Sequence, residues 1–271
     1  MAIRLTTGDR VAETSSKGNQ EKSLADGRWY KLDLFGYEGL AETVSSALLQ
    51  KINVEALGFR FVRYRMERLN VHRRERNGCS SPNFLQPGEA ILTLADLLWK
   101  GIGPHWQRIL ARQPNMAAKV QWIAEQTAQL TGLDRFGEYL TLLFEVDMLF
   151  GNEDRHMNNI AVLRRGEGFS YCPIFDFGAG LLSNVREYSM EVQPRALLRQ
   201  LIARPLNTTF PRQVSAARSV YGPQLQIGFT SEDVAEALAE PLEYYAERDR
   251  AYLADRVKTC IRVMEKKLNP R

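Results

Sequence analysis

Gly151-Asn152-Glu153-Asp154-Arg155-His156-Met157-Asn158-Asn159, followed after a short strand pair by Pro173-Ile174-Phe175-Asp176-Phe177-Gly178, is the stretch on which the reading of this chain turns. An aspartate, an asparagine five positions later and an aspartate-glycine turn beyond them are the parts that hold two magnesium ions and steer a hydroxyl onto a phosphate. Each part alone is an ordinary loop feature: Asp154 a backbone cap, Asp176-Phe177-Gly178 a β-turn. Their order and spacing behind a strongly apolar helix make phosphoryl transfer the leading reading. In that reading Asp154 orients the substrate hydroxyl and accepts its proton. Asn159 offers a neutral oxygen to magnesium, Asp176 links magnesium to the phosphates, and Gly178 permits a sharp turn behind it. His156, a lone histidine in the loop, reads as a hydrogen-bonded scaffold residue ahead of a base or metal ligand.

Working upstream, Lys31 lies mid-strand in Trp29-Tyr30-Lys31-Leu32-Asp33-Leu34. A lysine in a short apolar strand needs a phosphate or carboxylate partner. The helix that follows, residues 38–51, offers Glu38 and Glu42 one turn apart on one face; Glu42 is the expected partner and Glu38 the alternative. Before the strand, Ser15-Ser16-Lys17-Gly18-Asn19-Gln20-Glu21-Lys22-Ser23 is short and polar, able to present backbone N–H groups to phosphate oxygens but equally a surface loop.

The remaining elements follow from periodicity. Residues 59–69 and 71–77 read as strands with charged outer faces, and Asn77-Gly78 breaks the pattern. Thr93 caps a helix over 94–100, and Asn115 one running to about 131. Residues 136–150 are apolar on nearly every side, the mark of a buried helix. Residues 160–163 and 169–174 form a hairpin, and helices start near 195, 212, 231 and 241. The expected architecture is α+β: a two-lobed, protein-kinase-like fold with a small β-rich N-lobe over 1–82 and a larger helical C-lobe over 83–271, the hinge at about 79–84.

The 271 residues are 44% apolar and 25% charged, ample for a sizeable core. No apolar run approaches the roughly 20 residues that span a bilayer, and no cleavable apolar leader is present, so a cytoplasmic protein without membrane attachment is expected. Cys79, Cys172 and Cys260 are too scattered for a disulfide framework or zinc site. A net charge of +4 is mild. The run Arg73, Arg74, Arg76, with Arg63, Arg65 and Arg68 upstream, reads as a solvated strand face rather than a nucleic-acid surface.

Jointly these residues resemble the HipA-like branch of the protein-kinase superfamily, in a compact bacterial form. Lys17 to Ser23 is similar to that family's Gly-x-Gln-Glu-Lys phosphate loop, Trp29 to Asp33 with Gly36 to Glu42 to its ATP-lysine strand and helix, and Cys79 to Leu85 sits at the place of its adenine hinge. The catalytic loop, Asn152 to His156 with Asn159, is the most specific match. The resemblance implies an ATP- and magnesium-dependent protein serine/threonine kinase. Its catalytic residues would be Asp154, Lys31 and Glu42, and its metal ligands Asn159 and Asp176. ATP contacts would come from Gly18, Asn19, Gln20, Lys22, Lys31, Cys79 and Ser81. It also implies autophosphorylation at Ser15 or Ser16, a toxin-like role in growth control, and an antitoxin or regulatory partner. The antitoxin-binding N-terminal subdomain of full-length HipA is not expected here. Departures from eukaryotic-type kinases are the lack of a Gly-x-Gly-x-x-Gly loop and of an Ala-Pro-Glu segment, and a histidine that follows the aspartate. Alternatives are a small-molecule or lipid kinase, an AMP-transferring enzyme, and a non-catalytic pseudokinase regulator.

Overall fold

A lysine strand and a glutamate helix meet because glycines let them. In the computed structural model, which describes residues 3–4, 22–71 and 73–269, the N-terminal part is a mostly antiparallel five-stranded sheet. Its strands are β1 (Ile3–Arg4), β2 (Lys22–Ala25), β3 (Arg28–Leu32), β4 (Arg65–Val71) and β5 (Arg74–Pro82), in the order β1-β4-β5-β3-β2, with only β1 and β4 parallel. Between β3 and β4 lies α1 (Glu38–Leu49). A Cβ on Gly39 would stand 2.9 Å from the Gly78 carbonyl oxygen of β5, so this contact requires glycine and seats α1 directly on the sheet.

The register of β3 on β5 pairs Lys31 with Cys79 and Trp29 with Ser81. Directly opposed residues share a face, so Lys31, Cys79 and Ser81 lie on one side of the sheet. Tyr30 and Leu32 pack on the other side with Leu69.

The C-terminal part begins with β6 (Glu89–Thr93), then α2 (Leu94–Ile102), α3 (Trp106–Ala111), α4 (Met116–Thr131) and α5 (Phe136–Phe150). The side chains of Thr93 and Asn115 accept from the N–H groups of Asp96 and Ala118, the two N-caps expected from the sequence. Helix α5 is the axis of the core: every residue but Glu138 is buried. The hairpin β7 (Ala161–Arg165) and β8 (Gly168–Tyr171) joins β6 in a three-stranded sheet. Helices α6 (Pro194–Leu197), α7 (Phe210–Tyr221), α8 (Ser231–Leu242) and α9 (Glu247–Leu268) complete the chain. One apolar core runs from Leu40, Val44 and Leu48 of α1 through α5 to Val257 and Ile261 of α9. The cysteines are buried and free.

Four differences from the sequence reading stand out, besides β1, β6 and α3, which it did not contain. Residues 59–64 are not strand: Phe61 bridges Ile174, and Val62 N–H donates to the Ile174 carbonyl at 2.9 Å, so this stretch serves the crossing between lobes. The strand read at 71–77 is Arg74–Pro82, so it takes in Cys79 and Ser81, the positions expected at a hinge. Lys22 and Ser23, read as loop, are the start of β2 because Lys22 pairs with Lys31 across the sheet. Pro241 does not begin the last helix. It sits near the end of α8, where a missing N–H costs one helical bond, and α9 starts at Glu247.

Candidate active site

At the junction of the lobes one ammonium lies between two carboxylates. Lys31 Nζ donates to Glu42 Oε1 and, at 2.7 Å, to Asp176 Oδ1, and the same nitrogen lies over the Tyr64 ring, 5.1 Å from its centroid. Lys22 Nζ reaches Asp176 Oδ2 at 3.4 Å. The other oxygen of Glu42 accepts the Phe177 N–H at 2.8 Å, so one carboxylate fastens α1 to both the lysine and the loop at Asp176. Glu38, the alternative partner, instead accepts the N–H groups of Phe35 at 2.7 Å and Gly36 at 3.0 Å.

The charges follow from this packing. Burial alone would lower the Lys31 pKa, but the Asp176 and Glu42 carboxylates hold it well above the usual lysine range. Burial would raise Asp176, yet Lys22 and Lys31 outweigh it and hold the carboxyl well below the usual range. Burial raises Glu42 against the pull of Lys31.

Beneath the site a second buried pair anchors both loops. Arg155 Nε donates to Asp147 Oδ2 at 2.9 Å, and its remaining donors reach the carbonyls of Asn159 at 3.0 Å, Phe175 at 2.7 Å and Asp176 at 3.3 Å. Asn152 Nδ2 donates to Asp147 Oδ1 at 2.8 Å and to the Asp176 carbonyl at 3.0 Å. Held this way, Asp176 has φ 67°, a left-handed geometry that a short polar side chain tolerates. The left-handed residue of the turn is therefore Asp176 itself, whereas the sequence reading gave the turning role to Gly178.

Asp154 stands at the cleft wall, its side chain 45% exposed, 3.6 Å from His156 Nε2 and 4.0 Å from an Arg204 nitrogen. Burial is the main cause of a raised Asp154 pKa, opposed by His156 and reinforced by Asp176. His156 Nδ1 accepts the Asn158 N–H at 3.2 Å, in keeping with a scaffold role. Asn159 Nδ2 donates to the Asp154 carbonyl at 2.8 Å, while Asn159 Oδ1 is buried without a hydrogen-bond partner. Cys79 and Ser81 are buried on the lysine face of the sheet. Gly18, Asn19, Gln20, Ser15 and Ser16 lie outside the described residues.

A cleft of about 600 Å³ opens in front of these groups, lined among others by Lys22, Asp154, Asp176, Glu153, Glu187 and Tyr188. Tyr188 donates its hydroxyl to Glu153 Oε2, and the Ile202 N–H donates to Glu153 Oε1 at 2.5 Å. Arg256 of α9, buried, donates to Tyr37 Oη at 3.0 Å and to the carbonyls of Ser189 at 3.3 Å and Tyr188 at 2.8 Å. Tyr37 in turn donates to the Leu181 carbonyl at 2.7 Å.

Sequence reasoning missed Asp147, Arg155, Tyr64, Arg204 and Arg256 as parts of this neighbourhood. Asp147 carried a readable signal, shared with Glu145: a carboxylate within a largely apolar helix needs a buried partner. Arg204 and Arg256 carried none, being unremarkable arginines far away in the chain.

A small, mostly antiparallel sheet bearing the lysine, a larger helical part bearing the loops, and the site between them define a two-lobed, protein-kinase-like α+β fold. The crystal structure of the proinflammatory kinase CtkA of Helicobacter pylori matches it with a TM-score of 0.64 and 13% identity, over 99% of this chain and 98% of that chain. At that identity the likeness speaks for the fold alone. HipA of Shewanella oneidensis, from a toxin–antitoxin system and in complex with HipB and operator DNA, aligns at a TM-score of 0.46 and 14% identity, over 97% of this chain and 66% of that chain; no argument rests on it. No family model and no curated protein matches the chain. Among the described residues, no helix is long and apolar enough to cross a membrane.

Proposed function

We propose that this chain is an ATP- and magnesium-dependent protein serine/threonine kinase of the HipA-like type. The observation that carries the reading is the convergence of buried Lys31 and Glu42, from two separate elements, on Asp176, which lines a cleft that also holds Asp154. A phosphate-binding lysine needs a carboxylate to orient it and a second acid nearby to hold metal, and nothing in core packing requires three buried charges here.

The residues fit magnesium. Asn159 Oδ1 is a buried oxygen lacking a protein partner, and Asp176 is kept ionised by its lysines. One amide oxygen and one carboxylate form the sparse donor set that magnesium uses when nucleotide phosphates complete its shell. Bound there, magnesium would neutralise charge on the phosphate oxygens. Lys31 and Lys22 would turn from Asp176 toward those oxygens, with Glu42 keeping Lys31 in place. Asp154, its pKa raised by burial, would orient the acceptor hydroxyl and take its proton. Cys79 and Ser81 would floor the adenine end, and Gly18, Asn19 and Gln20 would cover the phosphates. Autophosphorylation at Ser15 or Ser16, beside that loop, and a toxin-like role in growth control belong to the same proposal through the family resemblance.

Intact mass after incubation with ATP and magnesium tests this. A gain of phosphate in the parent and not in Asp154→Ala is expected, and peptide mapping would place it at Ser15 or Ser16. A gain of the AMP mass would replace the proposal with nucleotide transfer. Absence of phosphate both on the chain and on a panel of acceptor proteins would refute it.

A further inference from the structure

Past the wall formed by His156 and Arg204 the structure holds a second chamber of about 530 Å³, shallower and more open to solvent than the cleft. His156 and Arg204 line both spaces, so the chamber adjoins the cleft at Asp154. The two differ in charge. The first carries the carboxylates of Glu153 and Glu187 beside Asp154. The described lining of the second has no carboxylate; its ionisable groups are Lys119, Arg204 and His156, set against the apolar surfaces of Trp106, Leu110 and Met157.

These cations are poorly neutralised. Among the described residues no carboxylate lies within ion-pair distance of Lys119, and Arg204 has only Asp154, at 4.0 Å. By contrast Lys31 is matched by Glu42 and Asp176, Arg155 by Asp147 and Arg218 by Glu145. Two cations left facing a concave space raise the local concentration of anions. An acidic side chain would be repelled by Glu153 and Glu187 and attracted past the wall, so the charge difference also sets the direction of a bound chain.

We propose that this chamber is an acceptor subsite for an Asp or Glu side chain of the substrate protein, close in sequence to the serine or threonine that meets Asp154. The proposal rests on the kinase reading and names its substrate class: acceptor segments with an acidic flank. Arg204, shared by both spaces, is 4.0 Å from Asp154 and extended chain advances about 3.3 Å per residue, which places the acidic residue roughly one to three positions from the acceptor. The apolar wall accommodates the methylene stem while Lys119 and Arg204 face the carboxylate.

Fluorescence anisotropy of two labelled peptides with the full chain tests the subsite without phosphate transfer. Both contain one serine in an alanine-glycine background; one carries Glu at the three positions on each side and the other carries Lys. The Glu peptide should bind the parent about fivefold or more tightly, the expectation for one or two exposed ion pairs, and salt should narrow the gap. Lys119→Glu should reverse the order, and Lys119→Gln, the milder change, should shrink the preference. Equal affinities, tighter binding of the Lys peptide, no binding of either, or a Glu preference surviving both substitutions would overturn the proposal. Phosphate transfer is read separately by mass. A chain that transfers phosphate without discriminating refutes the subsite alone, and one that discriminates while phosphate appears neither on the chain nor on the panel of acceptor proteins refutes the kinase reading.

Discussion

Replacing Arg155 by methionine should destabilise the protein by about 3–5 kcal/mol at neutral pH, mostly through the partner it leaves behind. Arg155 and Asp147 are 1% and 0% exposed, and the guanidinium holds the carboxylate at 2.9 Å and 3.0 Å. Methionine keeps much of the volume and removes the charge, so Asp147 becomes a buried carboxylate whose remaining side-chain donor is Asn152. Three carbonyls, of Asn159, Phe175 and Asp176, lose a donor as well. Against a total stability of about 5–15 kcal/mol this is a large fraction.

The cost should depend on pH. Burial already raises the Asp147 pKa, opposed by Arg155 and Asn152. Without Arg155 it rises further, so the folded mutant holds a proton that the unfolded chain releases. Its stability then falls as pH rises from the unfolded value, about 3.9, through the folded one. Urea melts of the parent, Arg155→Met, Asp147→Asn and the double mutant, at pH 5 and pH 8, measure it. The Arg155→Met deficit should be larger at pH 8, and the double mutant should be more stable there than Arg155→Met by about 1–3 kcal/mol. A single mutant within about 1 kcal/mol of the parent at pH 8, or no recovery in the double mutant, would refute the argument.

Asp33 gives a second pH test. Burial raises its pKa to about 7, despite the Gly39 N–H at 2.6 Å and the Tyr245 hydroxyl at 3.0 Å. The stability that its protonated form contributes is full below about pH 4 and lost as pH rises through about 7. Asp33→Asn should therefore melt like the parent near pH 4 and exceed it above pH 7 by about 1–3 kcal/mol, and equal midpoints at pH 8 would contradict this. Asn159→Ala should raise the magnesium needed for half-maximal phosphate transfer by about tenfold or more while costing only about 1 kcal/mol of stability, since Oδ1 has no protein partner to lose. An unchanged magnesium titration would remove Asn159 from the metal site.

Local rules carried much of the fold. Helix α5 was legible end to end because a buried helix shows no polar face, and the Thr93 and Asn115 caps because a side-chain oxygen before an apolar helical run has few other uses. The Lys31–Glu42 pair was legible because a lysine on an apolar strand has to be compensated. What escaped was set by contacts remote in sequence. Residues 59–64 have strand composition, but their bonds go to Ile174, over a hundred residues away, and not to a ladder. Helix α3 is six residues long, too short to show a period. At the site, residue types named the loops, but the cations of the second chamber come from α4 and from the segment after α6 and meet only through folding.

Arg256 puts the end of the chain in mechanical series with its beginning. Its three hydrogen bonds run to Tyr37, which opens α1, and to the backbone of Tyr188 and Ser189, while the Tyr188 hydroxyl holds Glu153 next to Asp154. A pull or a clamp on α9 would therefore be felt at α1 through one branch and at the Asp154 loop through the other. Cutting the chain before α9 would unfasten both branches together, and the loss would register as slackness in the site as well as a smaller core.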